Sequence, residues 1–292
     1  QEILHIPELY RALLPAPGPV VKLNPTLAIG ADIWDYRLTA DSQYVFYLAD
    51  HDRLHRNDLY RVRLDGSDDP LQLTALVAYD FSVDDMDVTP DSDWVVFKVD
   101  ISGMAETLYR APVSGSPLTK LNAPAGPDAR LHYFRLSDDS QYVVYRAEMD
   151  TGGVWELYSA RVDGSGLQVK LNGALPPGGE VDDRGISPDS TRVVYTADQD
   201  TDEVVELYSV PINGGTRVKL NAPLTADGDV QEFNTSPDGA WLAYLADQDT
   251  DEQTELYLVP TAGGAAPIKL NGELTADGDV GWFQFGPNGD YL

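Results

Sequence analysis

The feature that most constrains this chain is a repeat of 49–50 residues. The dipeptide Leu-Tyr occurs at 9–10, 59–60, 108–109, 157–158, 207–208 and 256–257. A second marker, Lys-Leu-Asn or a variant, places its leucine at Leu23, Leu73, Leu121, Leu171, Leu220 and Leu270. A third is a turn, seen in its fullest forms as Ser187-Pro188-Asp189-Ser190 and Ser236-Pro237-Asp238-Gly239, and again as Gly286-Pro287-Asn288-Gly289. Three markers on one period define a repeat architecture, in which each unit buries its apolar face against its neighbours.

Within one period the chain reads as four short strands. In residues 222–271, strand a covers Val230 to Thr235 and strand b Ala240 to Ala246. Strand c covers Glu255 to Val259, and strand d runs through Ile268-Lys269-Leu270. Proline presets φ in the a–b turn, and glycine supplies a positive φ. Four strands per 40–50 residues is the signature of a propeller blade. The expected fold is all-β: a six-bladed β-propeller of four-stranded antiparallel blades in one domain spanning 1–292. The blades are 25–74, 75–122, 123–172, 173–221, 222–271, and 272–292 together with 1–24. The sixth is built from both chain ends, and its strand b stops at Tyr291-Leu292. Ile3-Leu4-His5-Ile6 or a neighbouring subunit could fill the gap, or the chain is a fragment.

Composition limits the partners. Lys+Arg 20 against Asp+Glu 48 gives a formal net charge of −28. Such a surface repels nucleic-acid phosphates and anionic lipids and attracts cations or basic protein patches. There is no cysteine, so thiolate chemistry and disulfides are excluded. No apolar run approaches the roughly 20 residues of a membrane helix, so no membrane insertion is expected. Gln1 to Tyr10 does not read as a leader peptide. Acidity without cysteine places the chain in the periplasm, at the cell surface or outside a bacterial cell.

The succession of a Ser-Pro-Asp-Gly turn, a Tyr-Val-Val-Tyr strand, Glu-Leu-Tyr and Lys-Leu-Asn resembles the TolB-like propeller repeats. Related repeats occur in the propeller domains of prolyl oligopeptidases and tricorn proteases. The resemblance covers nearly the whole chain and implies the fold. It does not imply one function, because this fold carries many.

Two acidic constellations are candidate sites. In antiparallel blades the b–c and d–a loops share one face, and these loops carry the carboxylates. Asp198, Asp200 and Asp202, and again Asp247, Asp249 and Asp251, alternate as in the opening of a Ca²⁺ loop. Glu203 and Glu252 stand where an EF-hand needs glycine, and a solvated hairpin loop has the same composition. The second constellation is a row on strand a: Asp35, Asp85, Asp183 and Glu232, six residues before each turn Asp. Period-2 alternation puts this row on the innermost strand, facing a central channel. Like-charge pairs about 8 Å apart cost about 2 kcal/mol each at an effective dielectric near 20. A bound cation would relieve that, and so would Arg37 and Arg135 one step along. One residue nearer the turn than the acidic row, Tyr36, Met86, Phe134, Arg184, Phe233 and Phe283 should pack between blades.

Catalytic patterns are scarce. There is no Gly-x-Ser-x-Gly elbow, no phosphate loop and no His-Glu-x-x-His. His51 and His55 lie beside Arg53 and Arg56, a poor setting for zinc. Lys22, Lys120, Lys170, Lys219 and Lys269 fall on strand d, where a charge deters edge-to-edge pairing. The expected function is therefore a non-enzymatic binding or scaffold propeller whose acidic loop face takes a protein partner, with Ca²⁺ as a candidate stabiliser. The alternatives are a subunit of an extracellular filament or homo-oligomer joined through its termini, and a propeller hydrolase, lyase or peptidase-associated propeller.

Overall fold

A computed structural model describes residues 7–14, 18–51, 56–76, 81–101, 105–123, 126, 129–150, 152–275 and 278–292. The protein is all-β with the fold of a six-bladed β-propeller; among the described residues five sheets have four antiparallel strands and the first has two. The first sheet is β1 (Tyr10–Arg11) and β2 (Val21–Lys22). The second is β3 (Ile33–Leu38), β4 (Tyr44–Ala49), β5 (Asp58–Arg63) and β6 (Leu71–Gln72). Next come β7 (Phe81–Val88), β8 (Trp94–Ile101), β9 (Thr107–Pro112) and β10 (Thr119–Lys120). The fourth sheet is β11 (Leu131–Leu136), β12 (Tyr142–Ala147), β13 (Glu156–Arg161) and β14 (Val169–Lys170). The fifth is β15 (Val181–Ile186), β16 (Arg192–Ala197), β17 (Glu206–Pro211) and β18 (Val218–Lys219). The last is β19 (Val230–Thr235), β20 (Trp241–Ala246), β21 (Glu255–Pro260) and β22 (Ile268–Lys269). The chain forms two compact units, residues 1–131 with 161–167, and residues 132–160 with 168–292.

The turn marker earns its recurrence. Ser187 Oγ donates to Asp189 Oδ1 at 2.6 Å and accepts from Arg192 N at 3.0 Å, while Ser190 N donates to Ser187 O at 2.7 Å. The fourth turn residue sits at positive φ, 73° for Gly239 but 57° for Ser190 and 57° for Ser42. Serine is kept there for a contact. Ser190 Oγ accepts from Asp139 N at 3.1 Å, and Ser92 Oγ accepts from Asp41 N at 3.2 Å, each tying its turn to that of the preceding sheet.

Strand b is buried on both sides, as a strand between packed sheets must be. Val193, Val194, Tyr195 and Ala197 are wholly inaccessible, and so are Leu242, Ala243, Tyr244 and Ala246. Directly opposed tyrosines stack across strands b and c, Tyr195 on Tyr208 at 5.4 Å and Tyr244 on Tyr257 at 5.2 Å. Such aromatic cross-strand pairs stabilise a sheet.

The Lys-Leu-Asn marker closes each sheet. Its leucine is buried at Leu171 and Leu220, though exposed at Leu270 in the last sheet. Its asparagine Oδ1 accepts the strand c leucine N–H: Leu207 to Asn221 at 2.8 Å, Leu157 to Asn172 at 2.8 Å and Leu256 to Asn271 at 2.9 Å. Its lysine departs from the edge-guard expectation. Lys219 Nζ lies 2.6 Å from Glu206 and 2.6 Å from Asp200, and Lys170 and Lys269 make the equivalent pairs with Glu156 and Glu255. The register explains this. Lys219 faces Tyr208, and Glu206, two residues along strand c, lies on the same side. The same glutamate accepts the Tyr208 hydroxyl at 2.9 Å.

Candidate protein-binding rim

In the second unit the acidic loops are held to one another by their own carboxylates. Asp198 Oδ1 accepts Glu180 N at 2.6 Å, linking a b–c loop to the d–a loop before it. Asp229 Oδ1 accepts Val205 N at 2.7 Å, Asp247 Oδ1 accepts Asp229 N at 2.6 Å, and Asp279 Oδ1 accepts Thr254 N at 2.8 Å. Charge-assisted bonds of this kind are about twice as strong as neutral ones. The result is a continuous hydrogen-bonded rim running through residues 180, 198–205, 229, 247–254 and 279.

Each position of the Asp-Gln-Asp-Thr-Asp loops has a distinct place. Gln199 Oε1 accepts from Gly173 N at 2.5 Å and from the Tyr195 hydroxyl at 3.0 Å; Gln248 does the same with Ala222 N and Tyr244. Asp200 pairs with Lys219, and Asp249 lies 3.6 Å from Lys269. Burial alone would pull the Lys219 ammonium down, but its bonds to Asp200 and Glu206 outweigh that and hold it above the usual lysine range. Asp202 and Asp251 are exposed, and the Asp202 carboxylate lies over Gly178 of the d–a loop. The spacing that resembles a Ca²⁺ loop is thus divided between backbone capping, a lysine and solvent.

Glu203 and Glu252 have φ of 64° and 56°, and both are exposed. At the same position in the preceding sheet stands Gly153, with φ 79°. Left-handed backbone costs a residue with a Cβ roughly 1–2 kcal/mol.

The strand a row is distributed over both units. In the first, Asp35 Oδ1 accepts from Arg37 Nη1 at 2.6 Å, and Arg37 Nε lies 3.8 Å from Asp87. Burial pushes the Asp85 and Asp87 carboxyls above the usual range. In the second, Asp183 caps Arg184 N at 2.7 Å, and Glu232 is exposed. Each of the strand pairs β3–β4, β7–β8, β15–β16 and β19–β20 shifts register near this row, as between Val83 and Asp85. A bulge adds a residue to one strand and interrupts period-2 alternation. The row beside it packs as expected at Met86 and Phe134, which are buried. Arg184, also buried, fills its place by laying its guanidinium 3.4 Å over the Tyr133 ring and donating to Tyr133 O at 2.9 Å. Burial lowers it to about 10. His55 and the segment Ile3-Leu4-His5-Ile6, singled out in the sequence, lie outside the described residues.

One carboxylate group escapes the sequence pattern. Asp84, Asp100 and Glu106 bring one oxygen each within 4.8 Å of one another. Lys98 Nζ lies among them, 3.8 Å from Asp84 and 3.8 Å from Glu106. The signal is a displacement: strand c of this sheet reads Glu106-Thr107-Leu108-Tyr109, its glutamate one residue early. Glu106 is therefore turned away from the Lys120 position and instead accepts Leu131 N at 2.5 Å.

No protein-family model matches the sequence, and no curated protein is similar to it. Solved structures are. Puromycin hydrolase is 18% identical, with a TM-score of 0.52 over 93% of this chain and 43% of that one. An oligogalacturonate lyase from Vibrio parahaemolyticus is 13% identical, with a TM-score of 0.51 over 86% of this chain and 68% of that one. A putative TolB from Agrobacterium tumefaciens is 18% identical over 86% of this chain and 83% of that one, at a TM-score of 0.45. The chain spans under half the length of the hydrolase. The hydrolase and lyase likenesses show the fold alone. With the repeat markers, they show that the chain has a six-bladed β-propeller fold.

Proposed function

We propose that this chain is a non-enzymatic binding and scaffold propeller of the bacterial envelope, and that its acidic rim takes a basic surface of a protein partner. The observation that carries the reading is the pair of exposed glutamates at positive φ. Glu203 and Glu252 occupy a backbone conformation that glycine adopts without strain, and the third repeat uses glycine there. Local strain kept at an exposed charge is a mark of a functional surface. The neighbouring carboxylates Asp202, Asp227 and Asp251 are exposed on the same hydrogen-bonded loops. Rigid loops present their charges with little ordering cost on binding. A protein of net charge −28 steers basic partners over long range and binds them in a salt-dependent way.

The test uses a variant that removes charge without removing structure. Glu203→Gly and Glu252→Gly relieve strain while Asp202→Asn and Asp251→Asn neutralise their neighbours. The fourfold variant should melt no lower than the wild type. It should capture the wild-type protein's basic partner at least tenfold less well, with a weaker dependence on salt. Equal capture by wild type and variant at every salt concentration would sink the proposal. Capture that needs no divalent cation should survive EDTA.

A further inference from the structure

The chain has six lysines, and all but one sit beside a carboxylate. Lys22 pairs with Glu8, Lys98 with Asp84 and Glu106, and Lys170, Lys219 and Lys269 with Glu156, Glu206 and Glu255. Lys120 is the exception. Among the described residues no carboxylate and no hydrogen-bond acceptor holds its Nζ.

The register of the sheet shows what was removed. Lys120 faces Tyr109 across β10 and β9, as Lys219 faces Tyr208 across β18 and β17. Two residues before the tyrosine, where Glu206 stands in the fifth sheet, this sheet has Thr107, which is buried and donates to Ala105 O at 3.3 Å. Its glutamate stands one place earlier, at Glu106, and successive residues of a strand face opposite sides. Glu106 accepts Leu131 N at 2.5 Å and lies 3.8 Å from Lys98. The second partner is lost too. Asp200 comes five residues after Tyr195, whereas Ser102 comes five residues after Phe97. Lys120 and every residue that fails to pair with it belong to the first unit.

An ammonium without a counter-charge gives up its proton more readily. Partial burial at the amine, with no opposite charge to offset it, holds Lys120 below the usual lysine range. Burial acts on Lys219 as well, but its bonds to Asp200 and Glu206 outweigh it, and the bond to Glu255 holds Lys269 up. The Lys120 side chain as a whole remains exposed, so a reagent in solution reaches it.

We infer that Lys120 is the nucleophilic amine of this chain and its site of acylation by activated acyl donors. The neutral amine attacks the carbonyl carbon of the donor; the C–N bond of an amide forms as the bond to the leaving carboxylate, thiolate or phosphate breaks, and the surplus proton passes to water. The paired lysines are held as ammonium ions, which have no lone pair to attack with. Each pKa unit between two amines changes the neutral share at neutral pH about tenfold. The inference is independent of the acidic rim.

Trace acetic anhydride sets the six lysines in competition, and peptide mass spectrometry reads the rate at each. At pH 7 Lys120 should acetylate at least about fivefold faster than Lys219 and Lys269. The lead should shrink by half or more at about pH 10.5, near the ordinary lysine value. Thr107→Glu restores the carboxylate that the other sheets carry at this place; with the fold verified by circular dichroism, Lys120 should slow to the rate of Lys219. The reverse exchange, Glu206→Gln, should speed Lys219 at least about twofold and needs no change in the third sheet. A Lys120 that labels no faster than Lys219 and Lys269 at pH 7 overturns the inference. So does a lead that stays constant with pH, which marks access alone, or one that a folded Thr107→Glu variant retains.

Discussion

Replacing Asn221 by alanine should weaken the protein more than its small size suggests. Asn221 Oδ1 is the partner of the Leu207 N–H at 2.8 Å, and the pair is buried. Leu207 is wholly inaccessible, so water cannot take the place of the lost acceptor. A buried donor left without a partner costs about 1–3 kcal/mol. The Nδ2 bond to Ala222 O, 2.9 Å long and only partly buried, adds at most about 1 kcal/mol. A total near 2 kcal/mol lowers the folding equilibrium roughly thirtyfold. Asn271 is the internal control. It makes the same bond to Leu256 N at 2.9 Å, but the site is only partly buried and water can reach it. Asn271→Ala should therefore cost under about 1 kcal/mol. Guanidinium unfolding followed by tryptophan emission compares the two midpoints, and hydrogen exchange reads the Leu207 amide directly. Equal midpoints for the two variants, or an unchanged Leu207 exchange rate, would refute the reasoning that asparagine closes each repeat through a buried N–H.

Three further outcomes follow from the same geometry. Asp85 is held above its ordinary range by burial, so the native state binds more protons than the unfolded chain between about 3.9 and the raised value, and stability falls as pH climbs through that window. Asp85→Asn should thus raise the melting temperature at pH 7, and the gain should vanish as pH drops below about 3.9; a gain that persists in acid contradicts this. Lys219→Met leaves Glu206, a mostly buried carboxylate, without its cation and should destabilise the fold, whereas adding Glu206→Gln should restore more than half of the loss in the same melt. Because Asp198 caps backbone and Asp200 holds a lysine, millimolar Ca²⁺ should leave the melting temperature unchanged; a rise of several degrees, abolished by Asp198→Asn, would show that the loop rearranges around the ion.

How much of this was legible in the residues depends on the range of the interaction. The blades were legible because Leu-Tyr, Lys-Leu-Asn and the Ser-Pro-Asp turn recur at one spacing, and a periodic core must repeat its packing. The purpose of the lysines was not. Strand d looks like an unprotected edge in the sequence, but Lys219 meets Glu206 across a register that only the folded sheet fixes. The aspartate caps are hidden in a similar way. Asp198 and Asp229 have their backbone partners 18 and 24 residues away, so local spacing shows the alternation of a metal loop and conceals the caps. Strand a carries a bulge in the register, which defeats simple alternation at Asp85 and Arg184. Arg184 breaks an apolar row in the sequence, and only its stacking on Tyr133 explains why a guanidinium can be buried there.

The claim that the acidic rim is the binding surface is tested most directly by site-specific photo-crosslinking. A photoreactive residue at Asp251 samples the rim, and one at Ala262 samples the exposed turn between β21 and β22. In extracts of the source cells, the account predicts that Asp251 crosslinks a basic protein and that the crosslink fades as salt is raised. A protein captured only from Ala262, with nothing at Asp251 at low salt, would contradict it.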